Sequence, residues 1–255
     1  MVVGRRGRVL VASCGVLVGL LGVGGCGTAD AEGAAVEKRS FALEGGALTV
    51  DSDNSRLVIT PADVDDVRVE RQVDGWVFMG SGPEASWKLV DGRLTLRVEC
   101  DAVASNCAAV HRIQVPRKVA VTVESDNGDV TAEGLATPLK VRTDNGDVRV
   151  RKAAAALDLG SANGGVTVDA GTTSTDLAVR TDNGDVRLAL GAVPRNVDVA
   201  TDNGGITVEV PEAEYAVVGS SGNGDVRVDV PENDGSGNGV RARSENGDVT
   251  VRTAN

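Results

Sequence analysis

An Asn-Gly pair recurs through the second half of this 255-residue chain, at intervals of 18, 18, 20, 20, 20 and 23 residues. A fixed period of this length is typical of a solenoid or a repeat array. Asn54 matches the same frame, although Ser55 replaces the glycine. The recurring asparagines are Asn127, Asn145, Asn163, Asn183, Asn203, Asn223 and Asn246.

The residues around each asparagine alternate between apolar and polar types, which predicts strands with one buried face. In the repeat around Asn183, for example, Leu177, Val186 and Leu188 occupy the apolar positions. Val, Thr and Ile dominate the repeats and suit a pleated surface. No segment after the first 25 residues has a convincing helical period. The five aromatic residues of the chain are consistent with a core too narrow for large rings.

Asn-Gly between alternating strands usually predicts a two-residue hairpin. A hairpin would place Arg142 opposite Arg149 and Asp144 opposite Asp147, and like charges directly opposite each other destabilise a strand pair. If Asn-Gly is instead a corner between two sheets, successive repeats stack in parallel and no arginine lies on another arginine. The sequence therefore favours an all-β parallel solenoid with rungs of about 18–20 residues over a hairpin meander.

The corner phrase has a predicted structural role at each of its positions. Glycine supplies a turn that other residues resist. Inward-leaning asparagines are expected to stack amide on amide as a corner ladder. The Ser or Thr two residues before each asparagine is expected to satisfy backbone groups of the corner.

Two acidic columns flank the corner and stack acid on acid. Calcium held between rungs would explain them, because calcium binds several carboxylate and carbonyl oxygens. The alternative is that each aspartate accepts turn amides and a neighbouring arginine offsets its charge. The expectation is no cofactor, with calcium as the open alternative. Its candidate ligands are Asp126, Asp144, Asp129, Asp147, Asp182 and Asp202.

The first 25 residues have the features of a secretory signal: a start with three arginines, a short apolar run and small residues before Cys26. The sequence "VGGC" resembles a lipobox, which implies cleavage before Cys26 and lipid on its sulfur. Residues 26–38 are then a lipidated tether, and residues 39–255 are the solenoid domain. Cleavage changes the formal charge from −11 to −14, because the signal carries no acidic residue. Such a surface disfavours nucleic acid.

The two remaining cysteines, Cys100 and Cys107, are expected to form a disulfide, since thiols in an oxidising compartment usually pair. A metal site is less well supported, because His111 is the only histidine and obvious ligands are few. As a lone histidine on a strand, His111 is expected at the surface or the rim.

Residues 39–118 are less regular than residues 119–255 and are expected to form irregular first rungs that cap the solenoid. Trp76 and Trp87 interrupt the strands of this half. One interpretation is that both pack over the open solenoid end, which must be protected against edge pairing. The alternative is an aromatic contact surface on a loop.

The segment "IQVP", followed by "VAVTVESDNGDV" and the repeated "TDNGDV", is similar to a bacterial family of adhesin-like β-strand-repeat proteins, a domain of unknown function. The resemblance covers about residues 40–255. It implies a solenoid-like β fold outside the cytoplasm, without known catalytic residues or an established ligand. The lipobox and the Cys100–Cys107 loop resemble those of lipoprotein members from high-GC Gram-positive bacteria.

The sequence thus predicts a non-catalytic binding or scaffold module, anchored by lipid on the extracytoplasmic face of the membrane. Its expected partner is an envelope protein or cell-wall glycan. Two alternatives stay open. One is a glycan-active β-helix enzyme, although aspartates on almost every rung single out no catalytic pair. The other is a surface protein stiffened by calcium.

Overall fold

A computed structural model describes residues 31–254 of the chain, except for the side chains of residues 101–105. The signal peptide, Cys26 and residues 27–30 of the tether lie outside the described residues. A single 3-10 turn at Ala31–Gly33 precedes the strands, and no helix in the described part has the length and apolar character to cross a membrane. The strands are β1 Glu37–Phe41, β2 Ala47–Asn54, β3 Arg56–Ala62, β4 Val67–Val90, β5 Arg93–Pro116, β6 Ala120–Asn127, β7 Val130–Glu133, β8 Leu139–Asn145, β9 Val148–Arg151, β10 Leu157–Asn163, β11 Val166–Thr172, β12 Asp176–Asn183, β13 Val186–Leu190, β14 Asn196–Asn203, β15 Ile206–Val210, β16 Ala216–Asn223, β17 Val226–Asp229, β18 Gly239–Asn246 and β19 Val249–Thr253.

The strands form two parallel ladders that meet at the Asn-Gly corners. Equivalent positions of adjacent rungs are paired: Leu157 of β10 lies between Leu139 of β8 and Leu177 of β12. The predicted parallel solenoid is therefore confirmed, and the hairpin alternative is wrong. The strands before the corners stack in the order β5, β2, β6, β8, β10, β12, β14, β18, β16. Those after the corners stack in the order β5, β3, β7, β9, β11, β13, β15, β19, β17.

The last rung of the chain is not the last rung of the stack. The sequence analysis expects successive repeats to stack in the order of the chain. In the structure, β18 and β19 lie between the Asn203 rung and the Asn223 rung. The long turn after Val230 carries the chain back into the stack, between the end rung and the Asn203 rung. Val240 and Ala242 are consequently buried at 1% and 0% exposure. The rung of β16 and β17, whose inward side chains are less buried, is at the end of the stack.

The first half of the domain adds an antiparallel cap. β5 runs along both ladders, since Arg93–Leu96 pair with β2 and Val110–Pro116 pair with β3. β4 is antiparallel to β5 on its outer side, and β1 is antiparallel to the first part of β4. The expectation that the first half caps the solenoid is confirmed.

The core is a stack of small aliphatic columns from both ladders, with Leu57, Val130 and Val148 fully buried. His111 belongs to this column, because its backbone pairs with that of Leu57. Its side chain is 0% exposed. The prediction that His111 lies at the surface or the rim is wrong, because its alternation with Ile113 and Val115 on β5 points it inward.

The opposite end of the stack has no such cap in the described residues. Val226 of β17 occupies the same inward column as Val186, yet it is 44% exposed whereas Val186 is 0% exposed. The position of Val199 in the other ladder is taken by Gly219 on β16. The core therefore narrows and opens to solvent at β16 and β17, which we call the open end.

Candidate functional site

The corners form one continuous asparagine ladder along an exposed edge. Each Asn Nδ2 donates to the Asn Oδ1 of the neighbouring rung at 2.9–3.1 Å, from Asn223 through Asn246 and Asn203 down to Asn54. The ladder is thus confirmed and includes Asn54. The asparagines are exposed at the edge rather than leaning inward as expected, because the Ser/Thr column occupies the inner side of the corner.

The Ser/Thr column binds the corner backbone as predicted. Thr181 Oγ1 donates to the carbonyl of Gly164 at 3.0 Å, and Thr201 Oγ1 donates to that of Gly184 at 3.1 Å. Ser161 makes the same bond to Gly146 at 2.9 Å. At these rungs the buried hydroxyl therefore ties one rung to the corner carbonyl of the rung before it, whereas the buried hydroxyls of Ser125 and Thr143 have no such partner.

Glycine is needed at the corner because adjacent rungs approach closely, and at Gly146 and Gly204 also because the backbone has a positive φ. A Cβ at Gly164 would lie 2.1 Å from the carbonyl oxygen of Gly146, and one at Gly184 would lie 2.2 Å from that of Gly164. Ser55 can replace glycine because the rung outside it has no tight corner. In its place lies a groove with an accessible volume of about 410 Å³, lined by Ser55, Cys107 and Ala31 among others.

The acidic column after the corner bonds to backbone amides of the next rung. Asp129 Oδ1 accepts from the amide of Asp147 at 3.0 Å, and Asp147 Oδ1 accepts from that of Gly165 at 2.8 Å. Asp185 Oδ1 accepts from the amide of Gly205 at 2.9 Å. Each carboxylate needs only the backbone amide of the next rung as its donor. The residue at the same position of that rung can therefore be another acid or a glycine.

The acidic column before the corner uses its backbone instead. The Asn145 amide donates to the carbonyl of Asp126, and the Asn163 amide donates to that of Asp144, both at 3.3 Å. Asp182 and Asp202 accept in the same way from the next rungs. The carboxylates of these four residues lie on exposed positions. Within the described residues, no group of three or more His, Cys, Asp or Glu side chains is arranged to hold a metal ion. Calcium at this edge stays a prediction.

Arginines on the ladders pair with acids of adjacent rungs. Arg142 Nη2 lies 2.6 Å from Asp158 Oδ1, and Arg151 Nε lies 2.8 Å from Asp169 Oδ2. This confirms that the arginine pattern is satisfied between rungs. These pairs are half-exposed, so each contributes little to stability alone.

The cap is organised around one buried arginine that the sequence analysis did not single out. Arg71 lies on the β4 position opposite His111, and its guanidinium carbon is 4.1 Å from the ring centre of Trp87. Trp87 packs edge-on against Phe41 at 6.2 Å. Burial, assisted by the charge of Arg71, lowers the pKa of His111 from 6.5 to about 4. Trp87 therefore packs in the cap, as expected.

A disulfide closes a projecting ribbon at the corner of the outermost rungs. Cys100 and Cys107 are bonded, with their Cα atoms 6.7 Å apart, as the sequence predicted. Seven residues of extended strand would span about 23 Å, so the chain between the cysteines bends back on itself. Residues 74–84 of β4 pair with residues 99–108 of β5 around this bend. We call these two segments the disulfide ribbon.

The disulfide ribbon carries an exposed apolar cluster. Trp76, Phe78 and Met79 are 44%, 59% and 73% exposed. The prediction that Trp76 packs over the solenoid end is wrong, because this part of β4 has left the core. Phe78 and Met79 were missed by the sequence analysis, although the apolar run "WVFM" between glycines was a usable signal.

Comparisons with known proteins match this architecture. No curated protein matches the chain significantly. Among solved structures, an adhesin-like protein from Bacteroides fragilis is 16% identical, with a TM-score of 0.54, and the match covers 86% of this chain and 97% of that one. Another, from Parabacteroides distasonis, is 12% identical with a TM-score of 0.41 over 86% and 98% of the two chains. At these identities the first likeness concerns the fold alone. The sequence model of the Toastrack DUF4097 family matches residues 88–254, and the chain therefore belongs to that family.

Proposed function

We propose that this protein is a lipid-anchored binding and scaffold module on the extracytoplasmic face of the membrane, without catalytic activity. The observation that carries the proposal is the open end. Its inward valine, Val226, is 44% exposed, and Val218 on β16 is 54% exposed. Apolar residues exposed at the end of a repeat stack mark a surface that a partner can cover.

The backbone of the open end supports a protein partner. β16 and β17 pair through one edge with β18 and β19, and within the described residues no strand pairs with their other edge. β16, Ala216–Asn223, has no charged side chain to block pairing. An extended segment of a partner can add to such an edge through backbone hydrogen bonds.

The described chain begins at the other end of the stack, and the proposed anchor precedes it in sequence. Gln72 of β4 donates to the backbone carbonyls of Glu32 and Ala34, so the start of the described chain is held against the cap. Cys26 is five residues before Ala31. Eight rung steps of about 4.8 Å separate β5 from β16, which amounts to roughly 40 Å. The open end would thus be presented well away from the point of attachment.

The arrangement of acids favours binding over glycan hydrolysis. Catalytic carboxylates of glycosidases form one facing pair at a defined separation. Here Asp129, Asp147 and Asp185 instead repeat along one edge and accept backbone amides. These acids have a structural role that accounts for their recurrence.

Photo-cross-linking in intact cells tests the proposal. A photoreactive amino acid replaces Val218 at the open end, and a matched chain carries it at Val193, a valine 36% exposed on a side loop. We expect one dominant protein adduct from position 218 only, and its loss when Cys26→Ala removes the anchor. Equal adducts from both positions, or adducts with cell-wall glycan alone, would contradict a protein-binding open end.

A further inference from the structure

We infer that the disulfide ribbon is a second membrane contact, in which Trp76 and Phe78 insert into the lipid interface beside the anchor. The inference rests on the proposed lipidation of Cys26 and extends it to a surface of the folded domain. Two observations carry it: the exposure of the ribbon's aromatic residues and the position at which the described chain begins.

The start of the described chain and the ribbon aromatics lie on one face of β4. Gln72 uses its side chain to hold the carbonyls of Glu32 and Ala34 at 2.8 and 2.9 Å. Successive side chains of a strand alternate, so Trp76 and Phe78 point to the same side as Gln72. The inward positions of this part of β4 are taken by Val69 and Arg71.

The disulfide keeps the aromatic side of the ribbon outward. A Cβ at Gly75 would lie 3.0 Å from Cys107 Sγ, so position 75 faces the disulfide. Trp76, the next residue, faces away from it. Gly75 also pairs with Cys107 across the two strands, which fixes this part of the ribbon against the bond. The cross-link therefore holds Trp76 on the outside of the bend.

The distances allow the anchor and the ribbon to meet one bilayer. Five residues from Cys26 to Ala31 span at most about 18 Å. Four strand residues from Gln72 to Trp76 span about 13 Å. A lipid on Cys26 would therefore leave the ribbon within reach of the membrane surface without any change in the fold.

The chemistry of the cluster suits the lipid interface. Trp is enriched at the boundary between headgroups and hydrocarbon, where Phe and Met also bury apolar surface. The mature charge of −14 gives no general attraction to anionic lipid. Contact would therefore depend on apolar insertion and on the lipid of Cys26, which keeps the domain near the bilayer.

Fluorescence quenching of the lipidated full chain in phosphatidylcholine vesicles tests the inference. Trp87→Phe leaves Trp76 as the sole tryptophan, and Trp76→Phe leaves Trp87, which packs in the cap against Phe41. With brominated acyl chains in the vesicles, we expect loss of Trp76 emission and no loss of Trp87 emission. In the Trp87→Phe background, Phe78→Ser should reduce the quenching, and Val218→Ser at the open end should leave it unchanged.

Vesicle flotation is measured on the same samples and reports the anchor separately. Flotation with quenching of Trp76 alone supports the inference. Flotation without quenching overturns the ribbon contact and leaves the lipid anchor of the proposed function in place. Quenching of both tryptophans to the same extent also overturns it, since the cap would then be as close to lipid as the ribbon. Failure to float overturns both the anchor and the ribbon contact.

Discussion

Gly184 lies directly against the carbonyl oxygen of Gly164 in the rung below, so that a methyl group at position 184 would meet that oxygen at 2.2 Å. The backbone of Gly184 is not in the left-handed region that favours glycine, and steric contact alone excludes a side chain there. Close approach between rungs is therefore what the repeated glycine makes possible.

Gly184→Ala should lower the free energy of unfolding by about 3 kcal/mol, because the obstacle is backbone that cannot rotate away. Gly46→Ala is the matched control, since a Cβ there has nothing within 4 Å and the backbone is outside the left-handed region. It should be neutral or stabilise by up to about 1 kcal/mol. Urea unfolding of the Cys26→Ala chains measures both. Similar losses for the two variants would show that glycine is needed for something other than rung contact.

The corner could be predicted because its chemistry repeats, whereas the order of the rungs could not. Asparagine, glycine and alternating aliphatic residues occur in the same frame on every rung from Asn127 onward, so any of these rungs can stack on any other. Nothing in the residues of β18 distinguishes a place after Asn223 from a place before it. In the structure the rung of β16, which has Gly219 in place of an inward aliphatic residue, lies at the end.

The asparagine ladder should contribute more in the middle of the stack than at its end. Asn183 bonds to Asn163 at 3.1 Å and to Asn203 at 3.0 Å, whereas Asn223 bonds only to Asn246 within the ladder. Asn183→Ala should therefore cost about 2 kcal/mol and Asn223→Ala about 1 kcal/mol. Thermal unfolding with calorimetry compares them. Equal costs would mean that the amides act one by one and not as a ladder.

His111 should make the fold sensitive to acid between pH 6.5 and about 4. Burial lowers its pKa in the folded state to about 4, below the usual value of 6.5. The unfolded chain therefore binds the proton first, and stability is present above pH 6.5 and lost as the pH falls. The loss should reach about 2 kcal/mol at pH 5 and roughly 3 kcal/mol below pH 4.

His111→Leu isolates this effect, because Leu57 occupies the neighbouring position of the same column. The variant keeps an apolar group beside Arg71, the charged residue that faces His111 from β4 and pairs with Glu37. Its stability should change less between pH 7 and pH 5 than that of the parent chain, as measured by urea unfolding at each pH. Parallel pH profiles of the two chains would rule out His111 as the titrating group.

The positions of the His111 and Trp76 side chains were not predicted from the sequence, for two different reasons. The alternation of His111 with Ile113 and Val115 indicates that the histidine points inward. Its residue type alone favours the surface, and the alternation is the better guide. Trp76 could not be placed in that way. Its exposure depends on the bend closed by Cys100 and Cys107, and spacing alone does not show which side of a bent ribbon faces solvent.

Removal of calcium should leave the melting temperature unchanged, because carboxylates of the column after the corner already accept backbone amides. Asp147 Oδ1 accepts the amide of Gly165 at 2.8 Å, a bond that an asparagine oxygen can also accept. Asp147→Asn should therefore change stability by less than about 1 kcal/mol, whereas Asp147→Ala should cost about 1–2 kcal/mol by leaving that amide without its acceptor. Calorimetry with chelator and with added calcium covers the parent chain and both variants. A melting temperature that rises with calcium in the parent chain but not in Asp147→Asn would establish a calcium site at this edge instead.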